Sequence, residues 1–140
     1  MQMTLAILKP DSVEAGSAGK ILALLQQKGF TIRGIKMLRL TESQAQAFYE
    51  VHKERPFYGS LMEFMTSGPV MPVALEREDA VPHLRKVMGA TDVAKAEEGT
   101  VRKLYGTSIE RNAIHGSDSP ENAAIELSFF FSRAELQAAR

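Results

Sequence analysis

The sequence predicts an α+β fold in which an antiparallel sheet carries helices on one face, in the split βαβ arrangement. Two observations predict it. Strand-like apolar runs and segments with helical spacing follow one another in the order β-α-β-α-α-β-α-loop-α. The chain also has 140 residues, 44% hydrophobic and 24% charged, so we expect one globular domain over residues 1–140 with a single core.

The first strand is the apolar run at residues 5–8. It stops at Lys9 because Pro10 lacks a backbone donor and pushes its predecessor into an extended conformation. Lys9 is therefore expected at a strand end, where an open sheet presents ligand-binding side chains. The helix that follows has helical apolar spacing over residues 19–28, and Gly29 is suited to its C-terminus.

A long second strand is predicted over residues 31–40, with a bulge at Gly34 where the alternation is interrupted. Thr41 and Gln44 form the capping-box pattern that opens a helix. Pro56 is expected to end that helix, because proline cannot continue its hydrogen-bond ladder.

The middle of the chain predicts a second helical piece around residues 61–65 and a strand over residues 70–76, despite Pro72. Asp79 is of a residue type that caps helices, and we expect it to cap a helix that ends at Gly89.

Residues 90–115 show little periodicity and are interpreted as a long ordered loop with short helical turns. Loops of that length inside a compact domain are uncommon and tend to be functional. Ser119 followed by Pro120 is typical of a helix N-terminus and opens the last predicted helix.

Composition excludes several classes of function. Seventeen basic and seventeen acidic side chains cancel, so nucleic acid is not expected as the main ligand, and neither is an anionic membrane. The absence of cysteine excludes disulfides, thiolate zinc sites and cysteine nucleophiles. The first residues lack the features of a signal peptide and no run approaches the length of a membrane span, so we expect a cytoplasmic protein.

One segment partly matches the phosphate-binding P-loop motif but lacks two of its required residues. The segment EAGSAGKI contains Gly19-Lys20, but a P-loop requires glycine where Glu14 stands and serine or threonine where Ile21 stands. No dinucleotide-binding GxGxxG, zinc-binding HExxH or GxSxG signature occurs either.

The chain has three histidines. His52 and His83 fall in predicted helices rich in charge, where a surface role is the default. His115 differs because the small and acidic residues GSDS follow it at a helix start, where free amides can hold an anion. Local sequence leaves two interpretations of His115 equally open, a nucleophile and an ordinary histidine in a turn.

Charged residues elsewhere bear on that choice. Phosphoryl transfer requires cations near the transferring group, and Lys9, Arg85 and Arg102 can supply them, although each alone is typical of a surface. Glu126 lies between two apolar residues in a phenylalanine-rich helix. A carboxylate there suits an imidazole partner such as His115, and an exposed position or a plain ion pair is the alternative.

Six stretches, taken together, resemble the nucleoside diphosphate kinase family. They occur in order and with the family's spacing over essentially the whole chain: KPD, then ERPFY with SLMEFMTSGPV, then MGAT, GTVR and finally NAIHGSDS. The resemblance implies a ferredoxin-like βαββαβ fold with a four-stranded antiparallel sheet. It also implies transfer of the γ-phosphate between nucleoside tri- and diphosphates, with ATP as the donor, by a ping-pong route through a phosphohistidine. Mg²⁺ would sit on the phosphates, and a homo-oligomer, tetramer or hexamer, would be the assembly.

Carried over position by position, the resemblance makes His115 the phosphorylated nucleophile, with Glu126 and Ser117 orienting it. Lys9 and Asn112 would hold the ribose hydroxyls, and Lys9 would also lie near the transferring phosphate. The phosphates would be bound by Arg85, Thr91, Arg102 and His52. The base would stack on Phe57, with Leu61 and Ile109 completing an apolar slot. Tyr49 would lie next to these residues, and Asp118 would reach Mg²⁺ through water.

Departures from the family pattern are confined to the long loop. Asp92-Val93 stands where many relatives have Asn-Pro, and Glu98-Gly99 stands where some have Pro-Gly. The resemblance associates this loop with subunit contacts, so the departures bear on assembly. The alternatives to an enzyme are a non-catalytic nucleotide- or nucleic-acid-binding regulator on the same fold, and an interaction scaffold.

Overall fold

The computed structural model describes residues 1–138, and its centre is a four-stranded sheet in the order β2-β3-β1-β4. All three strand pairs are antiparallel. This confirms the predicted α+β class and the ferredoxin-like arrangement. The strands are β1 (Gln2–Leu8), β2 (Thr31–Ile35), β3 (Met71–Arg77) and β4 (Ile114–Gly116).

Helices connect and cover these strands. They are α1 (Pro10–Glu14), α2 (Ala18–Gln27), α3 (Glu42–Phe48), α4 (Tyr58–Met65), α5 (Ala80–Met88), α6 (Val101–Tyr105), α7 (Pro120–Phe130) and α8 (Arg133–Ala138), with 3₁₀ turns at Glu50–His52 and Val93–Lys95. No helix within residues 1–138 is both long enough and apolar enough to cross a membrane.

The expectation that helices cover one face of the sheet is wrong. Strand β1 is buried on both sides: Ala6 and Leu8 contact one core cluster with α2 and α5, whereas Leu5 and Ile7 contact a second cluster with α3, α4 and α7. The physical reason lies in the sequence, since a strand with a continuous apolar run needs cover on both faces.

Two helix boundaries also differ from prediction. The helix opened by the Thr41 capping box ends at Phe48, and a 3₁₀ turn follows before Pro56 is reached. Asp79 precedes α5 but does not cap it with its side chain. Its backbone is left-handed, with φ 51°, a geometry unlike the extended one of a capping residue.

Other local predictions are confirmed. Gly34 lies at a register shift between β2 and β3, as the predicted bulge requires, although β2 itself is shorter than expected. Ser119 caps α7, its Oγ accepting from the Asn122 amide at 3.1 Å. The long segment 90–115 is an ordered connection containing a 3₁₀ turn and α6, and β4 begins at its end.

Candidate active site

A cleft of about 600 Å³ opens beside β4 and the ends of α7 and β1. Its volume is in the range of small-molecule sites. All the site residues predicted from the sequence line it except Ser117, which is fully buried just behind: Lys9, Tyr49, His52, Phe57, Leu61, Arg85, Thr91, Arg102, Ile109, Asn112, His115, Asp118 and Glu126. Residues scattered from position 9 to position 126 therefore surround one space.

His115 is held by strand pairing and by a carboxylate. It lies on β4 opposite Ile7, and its Nε2 is 2.8 Å from Oε1 of Glu126. Ser117 Oγ donates to the same carboxylate oxygen at 2.8 Å. An ionised carboxylate only accepts, so Nε2 carries the proton and the lone pair of neutral His115 is on Nδ1.

Aromatic rings pack around the same imidazole. The Phe48 ring meets it edge-on with centroids 5.6 Å apart, and the Tyr49 ring lies at 6.2 Å. The Tyr49 hydroxyl is buried and has no hydrogen-bond partner within residues 1–138. Burial, and secondarily the charge of Glu126, raises the pKa of Tyr49. Its hydroxyl thus stays protonated and can donate to a ligand.

Lys9 follows β1, as predicted, and its ammonium group is buried. Its Nζ donates to Oδ1 of Asn112 at 2.9 Å, and Nδ2 of Asn112 donates to the Thr91 carbonyl at 3.2 Å. Burial first, and then repulsion from Arg102, lowers the pKa of Lys9 to about 8. The charges of Asp11 and Glu110 raise the pKa of Lys9 but only partly offset these two effects.

Arg102 is a second buried cation in the cleft. Nη1 donates to the Gly89 carbonyl at 3.0 Å and Nη2 to the Ile114 carbonyl at 2.8 Å, so the guanidinium joins the end of α5 to β4. Its Nε has no partner within residues 1–138. Burial, followed by repulsion from Arg85, lowers the pKa of Arg102 to about 10, which leaves it charged at neutral pH.

Neither Lys9 nor Arg102 has a carboxylate within ion-pair distance in the described part of the chain. Buried charges are normally paired, because desolvation of a lone ion is costly. Two buried cations without a carboxylate partner, one of which lowers the pKa of the other, therefore form a site whose complement is an anion.

Comparison with known proteins assigns the family. The family model described as "Nucleoside diphosphate kinase" matches residues 2–136.

The chain belongs to the nucleoside diphosphate kinase family.

Similar members of this kinase family come from several organisms. The nucleoside diphosphate kinase of Persephonella marina is 54% identical over 136 residues, covering 97% of each chain. That of Chlorobaculum tepidum is 55% identical, again covering 97% of each. Among solved structures, the Aquifex aeolicus enzyme superposes with a TM-score of 0.93 at 47% identity, covering 96% of this chain and 97% of its own. The Halobacterium salinarum enzyme, solved in complex with CDP, has a TM-score of 0.91 at 38% identity, covering 96% of this chain and 90% of its own.

Some residues of the kinase cleft were missed from the sequence. Val51, Glu110 and Asn122 also line it. The sequence offered a signal for Asn122, because it comes four residues after Asp118 and such pairs are neighbours along a helix. In the structure its Nδ2 donates to Asp118 Oδ1 at 2.6 Å. Val51 and Glu110 had none, because an exposed valine and a half-buried glutamate are ordinary on any protein surface.

The donor set of the cleft suits a magnesium ion that is held mainly by a nucleotide. No group of three or more histidine, aspartate or glutamate side chains within residues 1–138 could hold a metal by itself. Asp118 is an exposed cleft carboxylate with one oxygen engaged by Asn122. A single carboxylate of this kind is what Mg²⁺ uses when phosphates and water supply its other ligands.

Gly116 lines the cleft beside His115, and its lack of a side chain also matters for packing on the other side of the sheet. A Cβ on Gly116 would lie 2.6 Å from Sδ of Met88 and 3.0 Å from Cδ2 of Leu84, within the core on α5. Successive strand residues face opposite sides, so a side chain at position 116 would meet the helix, whereas the imidazole of His115 meets the cleft.

We expect Gly116→Ala to lower the free energy of unfolding by about 1–3 kcal/mol, the usual cost of overpacking. Gly19→Ala is the matched control, since a Cβ there meets nothing within 4 Å on α2. It should be neutral or slightly stabilising, because alanine favours helix. Urea unfolding of both variants measures the difference, and equal stabilities would contradict the packing role.

Proposed function

We propose that this family member transfers the γ-phosphate of a nucleoside triphosphate, with ATP as the donor, to a nucleoside diphosphate through a phosphohistidine on His115. The observation that carries the proposal is the juxtaposition of an imidazole, oriented by Glu126, with the two unpaired cations Lys9 and Arg102. A nucleophile beside an anion site is the arrangement that phosphoryl transfer requires.

In the first half-reaction, the Nδ1 lone pair of His115 forms a bond to the γ-phosphorus as the bond from phosphorus to the bridging oxygen breaks. The nucleoside diphosphate leaves with that electron pair. Glu126, hydrogen-bonded to Nε2–H, stabilises the positive charge that develops on the ring. The second half-reaction is the reverse with another diphosphate, so one pocket serves donor and acceptor in turn.

Lys9 and Arg102 would offset the negative charge of the transferring group. The other phosphates would be bound by the exposed Arg85 together with Thr91 and His52. Ser117 would keep the Glu126 carboxylate in place through its hydrogen bond. The buried hydroxyl of Tyr49 adds one neutral donor to this surface of the cleft.

Asn112 and Lys9 would bind the ribose hydroxyls, since their side chains meet at 2.9 Å in the cleft. Phe57, at the start of α4, would stack on the base, with Leu61 and Ile109 forming the rest of an apolar slot. Stacking depends little on base identity, which favours broad specificity. The CDP complex of the Halobacterium salinarum relative supports nucleotides as the ligand class.

Asp118 would approach Mg²⁺ through a water molecule, with the nucleotide phosphates holding the ion. When bound, magnesium supplies positive charge on the phosphate oxygens. The part of Asp118 is then to orient the hydrated ion, and Asn122 fixes the carboxylate for that purpose.

We propose that residues 1–140 act as one domain in the cytoplasm and assemble as a homo-oligomer, tetramer or hexamer. Support for assembly comes from apolar side chains at the outer strand β2 and just beyond it: Ile35 is 45% exposed and Met37 is 58% exposed. Light scattering on the purified chain measures the mass and decides between the two assemblies.

Incubation with γ-labelled ATP tests the phosphohistidine directly. We expect label that is stable to base, labile to acid and absent from His115→Ala. Addition of an unlabelled nucleoside diphosphate should remove the label as the corresponding triphosphate. An unlabelled wild-type protein, or equal labelling of His115→Ala, would contradict the proposal.

Phe57→Ala tests the stacking role. The Phe57 ring is 48% exposed, so its removal costs the fold little, but a stacked base would lose about 1–3 kcal/mol, roughly 5- to 100-fold in affinity. Calorimetry with adenine, guanine, cytosine and uracil diphosphates should show similar losses for all. A loss confined to purines would show that stacking does not set the specificity.

A further inference from the structure

Ala113 has a backbone conformation that alanine rarely adopts. Its φ is +75°, and the Ile114 amide donates to the Asn112 carbonyl at 2.9 Å across it. A hydrogen bond between residues i and i+2 around a positive φ is a γ-turn of the rare, strained kind. Glycine would occupy it without penalty, but this chain has alanine there.

One segment of the chain satisfies both backbone polar groups of Ala113. The carboxylate of Asp11 accepts from the Ala113 amide, with Oδ2 at 3.0 Å. The Ala113 carbonyl accepts from the Lys9 amide at 2.9 Å and lies 2.9 Å from Oγ of Ser12. Strained conformations persist when surrounding contacts over-determine them, and here the contacts all come from residues 9–12.

The position of this turn connects it to the reaction. Asn112 immediately precedes Ala113, and His115 follows two residues later. Lys9 bonds to Asn112 through its ammonium group and to Ala113 through its amide. The turn therefore sets the distance and orientation between the sugar-binding side chain and the nucleophile.

Among the backbone hydrogen bonds that stabilise the Asp11 carboxylate, the one from Ala113 has the largest effect, and it is the one that reaches a distant segment. Its second oxygen, Oδ1, is buried and has no hydrogen-bond partner within residues 1–138. A carboxylate kept in such a position, with half of its accepting capacity unused, is there for the contact that its other oxygen makes.

We propose that Asp11, assisted by Ser12, is a positioning residue that holds the strained Ala113 turn and so aligns His115 with Asn112. This inference rests on the function proposed above. Asp11 acts through the turn and touches no reacting atom.

The competing explanation is electrostatic, since the Asp11 charge acts on neighbouring Lys9. Asp11→Asn separates the two, because the asparagine oxygen can still accept from the Ala113 amide while the charge is gone. We expect Asp11→Asn to phosphorylate within about threefold of wild type and Asp11→Ala to be slower by about 10- to 100-fold, the usual effect of a small misalignment.

The decisive experiment combines Asp11→Ala with Ala113→Gly. Glycine removes the conformational penalty at position 113, so the contacts from Asp11 and Ser12, which we call the clamp, are no longer needed to hold the turn. We expect Ala113→Gly alone to be within about threefold of wild type and the double variant to recover most of the Asp11→Ala loss. Equal losses for Asp11→Ala in the alanine and glycine backgrounds would overturn the proposal, as would an Asp11→Asn loss as large as that of Asp11→Ala.

Two readouts are needed, the single-turnover rate of His115 labelling by ATP and hydrogen exchange of the Ile114 amide. Loss of the clamp should speed exchange at Ile114 in Asp11→Ala, and unchanged protection there would also overturn the proposal. Hydrogen exchange does not depend on catalysis. A wild-type protein that takes no label would therefore count against the phosphohistidine only. In that case the exchange rate of the Ile114 amide alone tests whether Asp11 holds the turn.

Ser132→Ala serves as the control for general destabilisation, since it removes only the cap that the Ser132 hydroxyl gives to the Glu135 amide of α8. It should leave both readouts unchanged. If Asp11→Ala does not fold, Ser12→Ala replaces it, with an expected rate loss of about 3- to 10-fold that Ala113→Gly again reduces. A Ser12→Ala loss unaffected by glycine at 113 would overturn the clamp.

Discussion

Replacing His115 by alanine is expected to lower the rate of phosphoryl transfer by about 10⁴-fold or more, because the nitrogen that we propose as the nucleophile is lost. The remaining cations still bind a nucleotide, so its affinity should fall far less than the rate. A coupled assay of nucleoside diphosphate phosphorylation measures the rate, and nucleotide titration by calorimetry measures the affinity. A variant that retained more than about one hundredth of the activity would rule out His115 as the nucleophile.

Glu126→Gln provides a graded comparison at the same imidazole. The amide can still accept from Nε2–H but carries no charge to stabilise the ring, so we expect a loss of about 10²-fold in the rate with little change in nucleotide affinity. An unchanged rate would assign Glu126 a structural role only. A loss equal to that of His115→Ala would show that the charge of Glu126, rather than the orientation it gives the ring, is its main contribution.

Lys9→Met is expected to lower the transfer rate by about 10²- to 10³-fold, because it removes a cation that we propose lies next to the transferring phosphate. Wild-type kcat/KM should also fall above about pH 8, where the buried amine of the free enzyme loses its proton. The same measurement on Lys9→Met should lack this decline. A decline of equal size in the variant would assign it to another group.

The same substitution should not destabilise the fold at neutral pH. The pKa of Lys9 is about 8 in the folded chain, whereas an unfolded lysine has a pKa of about 10.4. The unfolded state therefore binds more protons between these values, and wild-type stability rises with pH across that window. The rise amounts to roughly 3 kcal/mol in full, relative to a variant without the amine.

Urea unfolding of the wild type and Lys9→Met at pH 7 and at pH 10 measures this difference. We expect Lys9→Met to be at least as stable as the wild type at pH 7, with the wild type gaining on it at pH 10. A stability difference independent of pH would contradict the burial of an uncompensated charge. Together, the losses in rate and the gain in stability would identify Lys9 as a residue kept for function at a cost to the fold.

Much of the fold could be predicted because its signals are local. The capping box at Thr41, the cap at Ser119 and the bulge at Gly34 depend on a few neighbouring residues and were predicted correctly. Strand β4 could not be predicted from periodicity, since a strand of three residues has no detectable alternation. Asp79 was assigned the wrong role because a residue type that caps helices also tolerates a left-handed backbone.

The candidate site shows the same division at longer range. The chemistry of each side chain could be predicted from the sequence. His115 is an imidazole followed by small residues, Lys9 and Arg102 are cations, and Glu126 is a carboxylate in an apolar helix. Their resemblance to a family pattern joined them into one site, and the structure brings them around one cleft. Periodicity alone could not have joined them, because Lys9 and Asn112 are 103 positions apart in the chain.

The sequence by itself determined the fold class, the residue types of the cleft and the family to which the chain belongs. Only the tertiary structure decided that both faces of β1 are covered, that Gly116 makes room for Met88, and that Ala113 is a strained turn held by Asp11. The physical reason is that burial, close approach and backbone strain are properties of pairs of distant segments. The chemical type of a residue limits the roles it can have, and the residues that contact it in the folded chain determine which of those roles it takes.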